Sequence, residues 1–356
     1  MNRLFNYFAN HLAATILLVL LILLVFDVAF AFIGEVADIG RGQYEITHLF
    51  QVIGLTLPRR IYELFPMAAL IGAMLGIGNL ASQGELVAAR AAGLSRSRLA
   101  GWVVVTGLML YIPASWLGEY LAPAAERQAN LIRTQALFDR VAVQNDQGVW
   151  IRDGARYLRI GAVSESALLQ DIEIYEFTAD HQLIHASKIA SASHDNTGWQ
   201  LRDLKQTNFR PDRIDVIKTS RKAVQELIDP AMVRVLAREP EHMTLKELQR
   251  YIQYLKTNQV GSSHYQLDYW ARLARPLTVL AMLLLGIGFV LGTKQRQSRG
   301  WRLFMGVLAG LMFKLFNDLF AQAGLVYGVP PLLSAVVPTL VVGGLAVWMF
   351  RWQSKI

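Results

Sequence analysis

The run Leu12-Ala13-Ala14-Thr15-Ile16-Leu17-Leu18-Val19-Leu20-Leu21-Ile22-Leu23-Leu24-Val25-Phe26, broken by Asp27 and resumed by Val28-Ala29-Phe30-Ala31-Phe32-Ile33, decides the fold. A helix needs about 20 mostly apolar residues to cross a hydrocarbon core about 30 Å thick. This run supplies them with a single charge. Five further runs of the same kind lie at 61–81, 100–121, 270–291, 303–321 and 332–350. Three runs precede and three follow a stretch, 123–265, with the mixed composition of a soluble domain. The expected architecture is a membrane α-helical bundle of six spans, three plus three, with an inserted all-β domain. Its parts are 1–122, 123–265 and 266–356.

The first run is expected to stay in the mature chain. Arg3 precedes it and Ala29-Phe30-Ala31 has the small-x-small form of a cleavage site. Signal-peptide cores, however, span about 7–15 residues, and this run carries on past Asp27 to Ile33. Apolar residues make up 53% of the chain and charged ones 17%, below the roughly 25% of soluble domains. The deficit falls in the two ends. With no cysteine in the chain, disulfides, thiolate metal sites and cysteine nucleophiles are excluded.

Basic residues near span ends mark the cytoplasmic side. One side collects Arg3, Arg90, Arg96, Arg98, Lys294, Arg296, Arg299, Arg302, Arg351 and Lys355, while the short loops of the other hold Arg41, Arg59 and Arg60. Both termini are therefore expected in the cytoplasm and the insert outside it.

Within the insert, Gly148-Val149-Trp150-Ile151, then Asp153-Gly154, then Arg156 to Ile160 read as a hairpin. Ile172, Ile174 and Phe177 alternate with Asp171, Glu173 and Glu176. A further run with Trp199, Leu201 and Leu204 follows the turn residues Asp195-Asn196-Thr197-Gly198. Short strands at this spacing predict a sandwich or an open roll. Thr244-x-x-Glu247 is a capping box for a helix with the apolar stripe Leu245, Leu248, Ile252 and Leu255. His181, His185, His194 and His242 lack metal-ligand spacing and read as surface residues. No phosphate-binding Gly-x-x-x-x-Gly-Lys-Ser/Thr loop occurs, so the chain is expected neither to hydrolyse ATP nor to bind a cofactor. Energy for any work must come from a partner. Nothing points to nucleic acid.

Residues 82–99, Ser-Gln-Gly-Glu-Leu-Val-Ala-Ala-Arg-Ala-Ala-Gly-Leu-Ser-Arg-Ser-Arg-Leu, predict a short cytoplasmic helix at about 82–93. Ser82 is its expected cap, Glu85 lies in the first turn, and Gly93 ends it. Its small side chains suit either a connector or a docking element. Charges inside the spans are the remaining signal. Asp27 is costly if unpaired, and Lys314 and Asp318, one turn apart, can pair. Arg41, Arg59, Arg60, Arg127, Arg133, Arg272 and Arg275 lie near outer span ends, and Lys314 lies beyond the midplane on the same side. Arginine binds phosphate through paired hydrogen bonds, so Arg41, Arg59, Arg60, Arg133, Arg272, Arg275 and Lys314 are the candidate lipid-headgroup residues.

Several motifs in order resemble the lipopolysaccharide-export permease family (LptF/LptG). They are Phe65-Pro66-Met67-Ala68-Ala69-Leu70, Gly84-Glu85-Leu86-Val87, Ala92-Gly93, Tyr265-Gln266-Leu267 with Trp270 and Pro276, and Val326-Tyr327-Gly328-Val329-Pro330-Pro331. The pieces Gly148-Val149-Trp150 and Asp153-Gly154, with the Tyr-Gly-Val-Pro-Pro run, look more like the G than the F subunit. The resemblance implies an inner-membrane ABC permease that takes lipopolysaccharide from the outer leaflet. It implies a β-jellyroll-like periplasmic insert, a heterodimer with the F-type permease and a cytoplasmic ATPase dimer that uses ATP and magnesium. A single-span accessory subunit and a periplasmic bridge complete the set, among membrane lipids. The short helix then corresponds to the coupling helix, with Glu85, Leu86, Val87, Ala88, Arg90 and Gly93 facing the ATPase. Arg59 and Arg133 match basic positions of the family. The chain departs from it at Ala31, Ala37 and Asp38, where G subunits often carry lysine. An F-type subunit is the alternative, as is a lipoprotein-releasing permease, although that group has four spans with its insert after the first.

Overall fold

The computed structural model describes residues 2–138, 143–153, 156–163, 169–178, 182–195, 198–209, 213–224, 227, 243–257, 261–292 and 298–353. The chain begins with α1 (Asn2–Val36), α2 (Ile46–Ser82), α3 (Glu85–Ala91) and α4 (Arg96–Trp116). A five-residue π turn (Leu117–Leu121) joins α4 to α5 (Ala122–Phe138). Strands β1 (Val143–Asp153), β2 (Arg156–Val163), β3 (Leu169–Phe177), β4 (Leu183–Asp195), β5 (Gly198–Phe209) and β6 (Ile214–Val224) follow. The chain finishes with α6 (Leu245–Thr257), α7 (Ser263–Gly292), α8 (Arg299–Val326) and α9 (Pro331–Gln353). It forms two units, one of Met1–Ala37, Leu49–Ala129 and Ser263–Ile356, the other of Asp38–His48 and Asn130–Ser262.

The first unit is the helical bundle. All six expected spans are present as helices long and apolar enough to cross a membrane. They outrun the apolar stretches because polar residues at each end continue the helix. The third, for example, is continuous over Arg96–Leu137, where hydropathy marked only 100–121.

Helix α2 is the centre of the bundle, with Phe65, Ala68, Ala69, Leu70 and Ile71 at 0–1% exposure. Its neighbours approach through glycine. A Cβ on Gly72 would lie 2.6 Å from the Ile16 Cα, and one on Gly286 would lie 3.0 Å from the Leu70 carbonyl oxygen. These positions let α1 and α7 reach α2 at backbone distance. Helix α1 turns Phe8, Leu12, Ile16 and Val19 inward at helical spacing and leaves Leu18, Leu21, Val25 and Phe26 exposed.

The second unit carries one six-stranded antiparallel sheet in the order β1-β2-β3-β4-β5-β6. Of the two expected forms it is the open roll, since among the described residues every strand pairs with its sequence neighbour. Asp153 pairs with Arg156 across the expected first hairpin, and Asp195 with Gly198 across the expected later turn. The turn residues 154–155 and 196–197 lie outside the described residues. The inward residues are Leu158, Ile160, Ile172, Ile189, Trp199 and Leu201. Two strands, β4 and β6, had no strong period-two signal, and β6 is a largely exposed edge strand. The capping box forms as expected, with Thr244 N–H donating to Glu247 Oε2 at 2.9 Å and Glu247 N–H to Thr244 Oγ1 at 3.3 Å. Leu248, Ile252 and Leu255 are buried.

Candidate functional site

The bundle gathers charge on three helices at one level. Arg59 lies thirteen residues into α2, Arg275 twelve into α7, and Lys314 twelve before the end of α8. At 1.5 Å per residue, each is about 18–20 Å along its helix from the same end of the bundle. One of them holds a carboxylate directly. Arg59 Nε donates to Glu63 Oε1 at 2.5 Å, one turn along α2. Arg275 and Lys314 add their fields to that of Arg59 at Glu63. The Arg275 guanidinium carbon stands 4.2 Å from the centre of the Tyr62 ring, a cation–π contact.

Two more carboxylates balance this group, since Glu126 and Asp268 also act on Arg59. Arg272, 4% exposed, pairs with Asp268 at 2.8 Å on α7. These seven groups comprise four cations, Arg59, Arg272, Arg275 and Lys314, and three anions, Glu63, Glu126 and Asp268. The sum is +1. Exposure is uneven within the central pair: the Arg59 side chain is 10% exposed and that of Glu63 46%.

Asp27 is not left alone in its span. It accepts from Arg60 of α2, which also donates from Nε to Thr56 Oγ1 at 3.1 Å. The expected Lys314–Asp318 pair does not form. Both side chains are exposed on α8, and among the described ion pairs none joins them. Lys314 stands at the level of Arg59 and Arg275 without an ion pair of its own among the described residues.

Arg41 and Arg133 belong to the second unit, where they share Asp38 at 3.0 and 2.6 Å. The Arg133 hydrogen bond is the main force that holds the Asp38 carboxyl below the usual range. Five of the seven candidate headgroup cations thus already hold a carboxylate. Glu63, Tyr62, Glu126 and Asp268 carried no motif. Only the one-turn spacing of Arg59 to Glu63 and of Asp268 to Arg272 could have pointed to them.

At the opposite end of the bundle, α3 is built as a small anchored platform. Leu86 and Ala89 are buried, while Val87, Ala88, Arg90 and Gly93 are exposed. Ser82 does not cap it. Helix α2 runs through Ser82, whose hydroxyl donates to the Asn79 carbonyl at 2.9 Å. Gly84 precedes α3 at φ 79°, a left-handed conformation in which Ser82 cannot reach the first turn. Gly93, at φ 95°, closes the far end as expected. Glu85 accepts a hydrogen bond from Tyr7 Oη of α1 at 3.1 Å. Phe5 and Phe8 pack on Trp102 of α4 at 5.6 and 5.9 Å between ring centres. Beside the platform a hollow of about 590 Å³ is lined by Val87, Arg90, Leu94 and Arg96.

His185 Nδ1 meets Asn208 Oδ1 at 2.8 Å across β4 and β5. No group of His, Asp or Glu suited to a metal occurs among the described residues. His181, His242, Lys294, Arg296 and Lys355 lie outside them.

A family model for the lipopolysaccharide export system permease LptF/LptG matches residues 6–352. The lipopolysaccharide export system permease protein LptG of Haemophilus influenzae is 30% identical over 342 residues, covering 95% of each chain. That of Escherichia coli strain K12 is 28% identical over 352 residues, covering 98% of each.

Proposed function

We propose, since this chain belongs to the lipopolysaccharide export permease family LptF/LptG and is a multi-pass inner-membrane protein, that its Glu63-centred cation cluster receives the phosphates of the exported lipid. The placement of Arg59, Arg275 and Lys314 at one level on three helices carries this reading. Charges at membrane depth are expensive and are retained where they pair with an opposite charge or meet a substrate. A phosphorylated lipid drawn sideways into the bundle would exchange bilayer headgroup contacts for charge-assisted hydrogen bonds in a low-dielectric site. Arg272 supports the cluster from α7. Arg60 of the bundle, and separately Arg41 and Arg133 of the second unit, are further cations that a phosphate could meet.

The chain works as the G-type half of a heterodimer with an F-type permease. Both termini and α3 face the cytoplasm, and the sheet unit faces the periplasm. A cytoplasmic ATPase dimer consumes ATP and magnesium and docks on α3. The buried Leu86 and Ala89 fix that helix to the bundle, so a push on Val87, Ala88 and Arg90 moves the spans. Closure of the spans collapses the cavity and expels the lipid toward the sheet unit and a periplasmic bridge. A single-span accessory subunit completes the assembly.

The test is lipid binding by the assembled transporter. Lys314→Gln and Arg275→Gln should each weaken binding of lipopolysaccharide while assembly and basal ATPase activity persist. Unchanged binding in both variants would refute the cluster as the phosphate site. Arg59→Glu is a poorer probe, because it sets two carboxylates one turn apart with Arg59 gone.

A further inference from the structure

Glu63 has no place in a site built only to attract phosphate. A carboxylate among the cations opposes an incoming anion, yet the bundle turns it directly at them. Its geometry suggests a reason. Arg59 is held in place, at 10% side-chain exposure, whereas Glu63, one turn away, is 46% exposed on the open side of α2. The anion is thus the more exposed partner of the pair. It pairs with Arg59 at 2.5 Å, with Arg275 and Lys314 at the same level on α7 and α8, where a phosphate oxygen would also be drawn. Without Glu63 the seven-group cluster would rise from +1 to +2 at membrane depth, a costly state while no lipid is bound.

Resting on the cluster as phosphate site, we propose that Glu63 is a built-in substitute for the substrate phosphate: it satisfies the cluster while no lipid is bound, swings aside when a phosphorylated lipid enters, and returns to displace it on release. The exchange is anion for anion and needs no covalent step. A carboxylate accepts from guanidinium and ammonium groups as a phosphate does, with smaller charge. Binding is thereby weakened by the competition, and release is eased. A transporter that must let go of its cargo each cycle gains from this.

The experiment uses the complete transporter in nanodiscs with Glu63→Gln, which keeps the shape and removes the charge. Lipopolysaccharide should bind about tenfold more tightly than to the unsubstituted complex, the scale of one charge-assisted hydrogen bond. The amount released per ATP hydrolysed should fall by a similar factor. Glu63→Asp, which retains the anion, should stay near the unsubstituted values. Enzymatically dephosphorylated lipopolysaccharide should show no gain with Glu63→Gln. Phosphatidylglycerol nanodiscs compared with phosphatidylcholine ones separate bulk headgroup competition from cargo binding.

Equal affinity of Glu63→Gln and the unsubstituted complex would overturn the proposal, as would an equal gain for the dephosphorylated lipid. Should Glu63→Gln fail to assemble, Glu63→Gln/Arg59→Gln, which removes the stranded charge with its partner, takes its place. In that variant, lipid bound no more tightly than by Arg59→Gln alone would overturn the proposal. If Lys314→Gln and Arg275→Gln leave binding unchanged, the phosphate site itself is wrong. If they weaken it and Glu63→Gln does nothing, only the substitute role is lost.

Discussion

Asp27 and Arg60 provide a quantitative test of how the bundle tolerates charge in its first two spans. The pair joins α1 to α2, with side-chain exposures of 37% for Asp27 and 24% for Arg60. Two unit charges 4 Å apart attract by about 4 kcal/mol at an effective dielectric constant of 20. Partial exposure screens this, and about half, roughly 2 kcal/mol, is expected to survive. Asp27→Asn removes that attraction and leaves Arg60 with only its Thr56 contact. The single variant should therefore lose about 2 kcal/mol. Asp27→Asn/Arg60→Gln removes both charges and should lose less than about 1 kcal/mol. Thermal unfolding of the purified complex in nanodiscs, with membrane protein level as a second readout, ranks the variants. Equal instability in the single and double variants would refute the pairing argument, as would a single variant as stable as the parent.

Gly72→Val should cost about 1–3 kcal/mol or more by pressing on the Ile16 backbone, while Gly34→Ala, with nothing near its Cβ, should leave the same melting temperature unchanged. Trp199→Ala, at 1% exposure in the sheet core, should cost about 3–5 kcal/mol and expose the insert to limited proteolysis with the bundle intact. Because its folded pKa is lowered, Asp38 should contribute stability above its ordinary value of about 3.9 and lose it as pH falls through the lower folded value. Asp38→Asn should thus speed cleavage of the 38–48 segment at pH 7 and make progressively less difference as pH falls through the lowered folded value. Glu85→Lys should uncouple ATP hydrolysis from export, and Tyr7→Phe should shift coupling in the same direction but less. Normal export by both would remove α3 as the point of attachment.

Hydropathy made the bundle legible because burial in lipid demands an unbroken apolar helix, and 12–33 states that on its face. Its ends were less legible. Hydropathy falls at Arg59 and Arg60, yet α2 continues to Ile46 because helix geometry persists after apolarity ends. In the insert, β3 and β5 showed themselves through Ile172 and Trp199. The edge strand β6 did not, since its exposure pattern has no period. The short helix was read correctly at Gly93 and wrongly at Ser82, because a left-handed glycine, not a side-chain cap, starts it. Of the candidate site, the cations were visible as out-of-place charges. Their partners were less so: Glu63 and Asp268 lie one turn from Arg59 and Arg272 on the same helices, a spacing too common to single them out, while Glu126 acquires meaning only when α5 meets α2. Lys314 shows the same limit: local spacing offered Asp318, and the structure forms no pair between them.

The central claim is that the cations around Glu63 meet the phosphates of the exported lipid. A photo-crosslinking residue placed at Lys314 or Arg275 in the complete transporter, with lipopolysaccharide present and ATP absent, tests it most directly. The expected result is a covalent lipopolysaccharide adduct from both positions that is lost when ATP drives a turnover. Adducts to bilayer phospholipid alone, or lipopolysaccharide adducts obtained only from positions in the sheet unit, would contradict it.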